Sequence, residues 1–206
     1  MADTDRPQIY LITPPEFELE PFSARLAAVL DAHEIACIRL ALASKDSDRV
    51  GRAADALREI AHARDVALVI ESHVQLVGRL GLDGVHLSDG ARSVRAVRKE
   101  LGSDAIVGAF CGASRHDGMN AAEAGADYVA YGPVGASPLG LGALAATDLF
   151  AWWSDMIELP VVAEGALTVA DVQALAGITD FLAIGEEIWR EDDAAAALRT
   201  LLAPLG

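Results

Sequence analysis

Gly81-Leu82-Asp83-Gly84-Val85 and Gly125-Ala126-Asp127-Tyr128-Val129 are two copies of one local device, and Gly177-Ile178-Thr179-Asp180-Phe181 is a looser third. In each, a stretch of helical period ends on a glycine, where a left-handed residue stops a helix without a Cβ penalty. A short apolar run of strand character follows at once. A helix-stop-strand junction repeated along a chain marks alternating βα units, whose strands run parallel. Working outward, the strand-like runs are Ile9–Thr13, Ala36–Leu40, Ala67–Ile70, Gly84–Leu87, Ala105–Ala109, Tyr128–Gly132, Pro160–Ala163 and Phe181–Gly185. The helical stretches are Phe22–His33, Asp48–Ala63, Val74–Leu80, Ser93–Leu101, Arg115–Ala124, Thr147–Met156, Val169–Ala176 and Ala194–Leu202. Ser93 and Thr168 stand where N-caps belong.

Eight strands, each followed by a helix, predict an α/β protein folded as a single (β/α)₈ TIM barrel. The 206 residues are read as one domain, residues 1–206, because no linker, low-complexity segment or charge block divides them. The rival is an open doubly wound sheet, which places a Gly-rich turn after its first strand. Here the first strand leads into Thr13-Pro14-Pro15, and no G-x-G-x-x-G occurs. The barrel pattern also predicts burial of Ile12, Ile38, Val69, Val107, Val129 and Val162.

Composition narrows the function. Hydrophobic residues are 52% of the chain, enough for a large core. Sixteen Lys and Arg stand against 31 Asp and Glu, a formal net charge of −15. Such a surface repels polyanions, so neither nucleic acid nor an anionic membrane is expected as a partner. No apolar run approaches the ~20 residues of a membrane span, and Met1–Asp5 carries acids where a signal peptide needs positive charge. Two cysteines, Cys37 and Cys111, both in apolar runs, suit a reducing, cytoplasmic setting.

In a (β/α)₈ barrel the functional face is built from the C-terminal strand ends and the loops after them. That rule selects Thr13, Arg39, Glu71, Ser72, His86, Ser88, Asp89, Cys111, Gly132, Ser137, Glu164, Gly165, Glu186 and Glu187. Glu71, Asp89, Glu164 and Glu186 bring carboxylates from four strand ends, against one candidate cation, Arg39. Arg39 is expected within ion-pair reach of Glu71, Glu164 or Glu186, because an inward arginine must be paired. His86 is either a hydrogen-bonded structural histidine or an acid–base group. Cys111 faces the mouth if the alternation holds, and is read as an inert thiol for want of a cationic neighbour. The carboxylates either close the barrel in a paired layer with Arg39, bind a cationic or metal ligand, or are solvated. Trp152 and Trp153 lie on one helix about 100° apart, so one packs inward and the other is a candidate anchor for a homodimer.

Tyr10-Leu11-Ile12-Thr13, Asp83-Gly84-Val85-His86-Leu87, Gly125–Tyr128 with Gly132-Pro133-Val134, and Leu159–Ala163 follow one another at spacings that resemble the thiamine phosphate synthase family, which includes the thiazole tautomerases. The resemblance runs over nearly the whole chain. It implies a (β/α)₈ barrel that joins an aminopyrimidine methyl pyrophosphate to a thiazole phosphate with magnesium, releasing pyrophosphate. It also implies binding positions, several of which carry other residues here. A Gln-x-Arg-x-Lys pattern serving the pyrophosphate reads Arg39, Ala41 and Ala43. An Asn-Asp pair, the Asp holding magnesium, reads Glu71-Ser72. A second magnesium Asp aligns with Ala91, two residues past Asp89. A Ser and a nearby His or Asn align with Phe110 and Gly112. A Thr-x-Thr-Lys loop reads Ser137-Pro138-Leu139-Gly140, and the thiazole-phosphate cradle reads Gly165-Ala166 and Gly185-Glu186.

The family resemblance thus implies a protein of thiamine biosynthesis with its phosphate and magnesium positions largely replaced. The alternative is a catalytically degenerate barrel that binds a small, cationic ligand or plays a regulatory part. No residue is assigned a catalytic role, no metal ligand is named and no cofactor is expected. The expected partner is a small molecule bound among Arg39, Glu71, Ser72, His86, Asp89, Cys111, Gly132, Ser137, Glu164, Gly165, Gly185 and Glu186.

Overall fold

The computed structural model describes residues 6–140 and 142–206; Met1–Asp5 and Leu141 lie outside them. Eight parallel strands close into a barrel in sequence order. They are β1 Gln8–Ile12, β2 Cys37–Leu40, β3 Ala67–Glu71, β4 Gly84–Leu87, β5 Ile106–Phe110, β6 Tyr128–Tyr131, β7 Val161–Glu164 and β8 Phe181–Ile184. The register of Gln8 with Phe181 and of Leu11 with Ile184 joins β1 to β8, leaving no free edge and excluding the open sheet. The helices are α1 Leu19–Ala32, α2 Ser47–His62, α3 Val74–Leu80, α4 Val94–Leu101, α5 Arg115–Ala124, α6 Thr147–Met156, α7 Val169–Leu175, α8 Glu186–Trp189 and α9 Ala194–Leu201. No described helix is long and apolar enough to cross a membrane.

Alternation along each strand sorts the core into two parts. Ile9, Leu11, Ile38, Leu68, Val107, Val129 and Leu182 point outward against the helices. Tyr10, Cys37, Val69, Tyr128, Ala130, Val162 and Ala183 fill the interior. Ile38, Val69, Val107, Val129 and Val162 are buried as expected, whereas Ile12 is half-buried because it reaches the open mouth. Gly108 makes room inside: a Cβ there would collide with the Tyr128 ring.

The repeated sequence device has a second function beyond stopping helices. Asp83, Asp127 and Asp180 each donate a backbone amide to the preceding strand, at Leu68, Val107 and Val161. Each carboxylate then accepts the amide of that same residue, at 2.6, 2.7 and 2.8 Å. The aspartate so fixes where one strand begins relative to the next. Gly81 and Gly125 are left-handed helix stops, with φ of 66° and 100°. Gly177 is not left-handed, and α7 ends at Ala176 in helical conformation. Thr168 caps α7 in a reciprocal capping box with Asp171. Ser93 makes no cap bond, because its hydroxyl instead donates to Asp89 at 2.6 Å.

Candidate active site at the mouth of the barrel

Arg39 is the centre of the barrel's polar interior. Position 39 on β2 points inward, and its guanidinium is buried. Its Nη2 donates to Glu164 Oε2 at 2.6 Å, and its Nε lies 3.7 Å from Glu71 Oε2. Nη1 meets His86 Nε2 at 2.6 Å. A guanidinium only donates, so Nε2 must accept and the proton of a neutral imidazole sits on Nδ1. Nδ1 therefore donates to the Tyr128 hydroxyl at 2.9 Å, which in turn meets the Tyr10 hydroxyl at 2.8 Å. Burial, then the Arg39 charge, holds the His86 pKa well below its usual value. Burial pushes both tyrosines up, and it lifts Glu164 against the opposing pull of Arg39. Burial pulls the Arg39 pKa down, but Glu164, Tyr10, Glu71 and Tyr128 together outweigh it, and Arg39 stays charged. This is a positioning chain for Arg39 with a neutral histidine inside it.

Above this layer a cavity of about 730 Å³ opens at the C-terminal end, bounded by the ends of β1, β2, β7 and β8 and the loop after β6. It gathers Arg39, Ser137, Glu164, Gly165, Gly185 and Glu186 of the expected set, and adds Ile12, Thr13, Glu187 and Arg190. Glu186 is exposed, and Arg39 pairs with Glu164 and Glu71 rather than with it. Gly165 is left-handed, and a Cβ there would press on Pro133 at 2.8 Å. The loops after β6 and β7 are joined by Gly135 donating to the Gly165 carbonyl at 2.8 Å. Gly132 lies beneath them with no room for a side chain beside Glu164.

Glu71, Ser72, His86, Asp89, Cys111 and Gly132 are not part of the cavity wall. His86 and Gly132 lie under it. Ser72 is left-handed, and its hydroxyl lies 3.4 Å from that of Ser88. Asp89 is exposed and held by Ser93. Cys111 packs outward with the helices, because the alternation through Val107 and Ala109 carries it to the same side. Burial, then Asp117, pushes its thiol up to about 12, an inert state at neutral pH. Trp153 is the inward indole, and Trp152 is half-buried with the Arg115 guanidinium 4.6 Å above its ring.

The residues at the implied magnesium positions do not suit that ion. Ser72 and Ala91 carry no carboxylate, Glu71 is turned toward Arg39, and Asp89 already accepts from Ser93. Among the described residues no group of three His, Cys, Asp or Glu stands together as a metal site. Hard cations of this kind need oxygen ligands that converge.

Four further residues matter here. Tyr10 and Tyr128 complete the chain behind Arg39; their inward direction was available from strand parity, since each alternates in step with its barrel neighbours. Glu187 closes the β8 end: its Oε2 accepts from Gly185 N at 2.7 Å and its Oε1 from Leu167 N at 3.0 Å. Trp189, on the same short helix, donates from Nε1 to the Ile12 carbonyl at 2.6 Å and pins α8 across the end of β1.

Fold and mouth together define a (β/α)₈ barrel with a ligand-sized cavity at the face where such barrels hold their sites. The family model described as thiamine monophosphate synthase matches residues 9–188, and the chain belongs to that family. A thiamine-phosphate synthase of Rhodospirillum centenum is 40% identical over 195 residues, covering 92% of this chain and 93% of that one. A thiamine-phosphate synthase of Erythrobacter litoralis is 38% identical over 204 residues, with 95% of each chain covered. Among solved structures, a thiamine phosphate pyrophosphorylase from Pyrococcus furiosus superposes with a TM-score of 0.81 at 20% identity, covering 98% of both chains.

Proposed function

We propose that the protein serves thiamine biosynthesis in the cytoplasm, binding an aminopyrimidine or thiazole compound of that chemistry in the cavity at the barrel mouth. The carrying observation is a cavity of about 730 Å³ at the functional face of a barrel of this family. The family reaction joins the two heterocycles with release of pyrophosphate. Here the lysine and magnesium positions read Ala43, Gly140 and Ser72, so turnover in that reaction is low. A thermal-shift screen with the aminopyrimidine, the thiazole, thiamine and their phosphates tests the reading. A ligand at a hundred times its Kd stabilises by about 2.7 kcal/mol. At least one of these compounds should raise Tm, and Ala41→Trp, which fills the cavity rim, should abolish the rise. No shift from any of them would contradict the proposal.

One observation favours a second reading of the same site, a barrel that binds a small, cationic ligand without running the reaction. Glu164, Glu186 and Glu187 line the cavity against Arg39 and Arg190, and Arg39 is already paired. Stabilisation by thiamine alone, with no response to either phosphorylated substrate, would select this reading.

A further inference from the structure

We infer that Glu164 sets the ligand specificity of the mouth, its second carboxylate oxygen, Oε1, accepting an N–H from the amino group of a bound aminopyrimidine. The inference rests on the reading that the mouth binds a heterocycle, and it names the residue that selects which one.

Glu164 ends β7 and is 1% exposed, yet it forms part of the cavity wall. Its Oε2 is committed, accepting from Arg39 Nη2 at 2.6 Å. Oε1 has no hydrogen-bond partner among the described residues. A buried acceptor without a donor carries its full desolvation penalty, so a ligand N–H gains most at such an atom. The flanking strand positions have no side chain that could supply the donor. Ala183 stands beside Glu164 in register on β8, and on the β6 side a Cβ at Gly132 would meet Glu164 Cγ at 3.1 Å. The small Ala183 also leaves depth at this end of the cavity, which it lines together with Ile12 and Leu139. An apolar slot with one acceptor in its wall suits a flat ring that carries an amino group. The thiazole ring has no N–H to offer. A site built to hydrogen-bond an N–H rejects an analogue lacking it far more strongly than an apolar pocket rejects a small change of shape.

The test is calorimetric titration of the full chain with two unphosphorylated pyrimidines, the aminopyrimidine alcohol and its analogue carrying a methyl group in place of the amino group. The two have nearly the same shape, and only the first has an amino N–H to give. Wild type should bind the amino compound at least about tenfold more tightly. Glu164→Gln keeps the bond to Arg39, because a guanidinium only donates and the amide oxygen must face it; an N–H then takes the place of Oε1. That variant should bring the ratio of the two affinities to about one. Equal affinities in wild type would overturn the inference without any variant. A purely structural Glu164 would lower the Tm of the variant, or weaken both pyrimidines alike, with the ratio unchanged, and that result would also overturn it. Binding of the thiazole with neither pyrimidine would overturn the inference and leave the heterocycle reading intact, whereas no binding of any heterocycle would overturn both.

Discussion

Arg39 shows how one inward charge organises the barrel. Removing it strands Glu164 as a buried, unpaired carboxylate, which typically costs 3–5 kcal/mol. Arg39→Met should therefore lose about 3–5 kcal/mol in denaturant unfolding, and Arg39→Met/Glu164→Leu should recover at least half of it. Full additivity of the two substitutions would show that the pair is not coupled. His86 makes the same layer sensitive to acid. It is held neutral in the fold, so its contribution is present above the unfolded value of about 6.5 and is lost as pH falls below it, by up to about 1.4 kcal/mol per pH unit. Glu164, lifted by burial, acts with the opposite sign lower down. The His86 share is thus read from wild type minus His86→Gln, and a difference flat from pH 7 to 5 would contradict it. Strand-end position was enough to find Arg39, Glu164, Gly165 and Glu186 in the sequence. Their pairing was only partly legible. Glu71 ends β3 beside β2, whereas Glu164 ends β7 across the closed barrel, and only the three-dimensional closure shows that Glu186 stays outside the reach of Arg39.

The βα junctions carry the element-scale account. Asp127 joins two strand starts by accepting the amide of fully buried Val107 and by pairing with Arg98. Asp127→Ala leaves that amide unsatisfied and should cost about 2 kcal/mol, since losing a partner exposes the whole desolvation penalty. Unfolding midpoints check this; a change under half a kcal/mol would show that water replaces the carboxylate. The repeated glycine and aspartate made these junctions readable, because both act within a few residues of chain. What escaped was the short helix Glu186–Trp189. Four residues are barely one turn, too few for a hydrophobic period, and the run of acids around them resembles a solvated loop. Ser93 misled for a related reason: its hydroxyl had a nearer acceptor in Asp89 than the amides of the helix it precedes.

Across the whole molecule, an acidic chain carries the family's barrel. The net charge of −15 and the glutamates that line the cavity both disfavour a phosphate at the mouth, which is the basis of the low turnover proposed above. The most direct measurement is the steady-state rate of thiamine phosphate formation by the purified protein, beside a family synthase that carries the lysine and aspartate positions. Each 1.36 kcal/mol lost from transition-state stabilisation is tenfold in rate, and contacts at one pyrophosphate are not additive. The account predicts turnover at least about a thousandfold lower. Turnover equal to that of the full-motif synthase would contradict it.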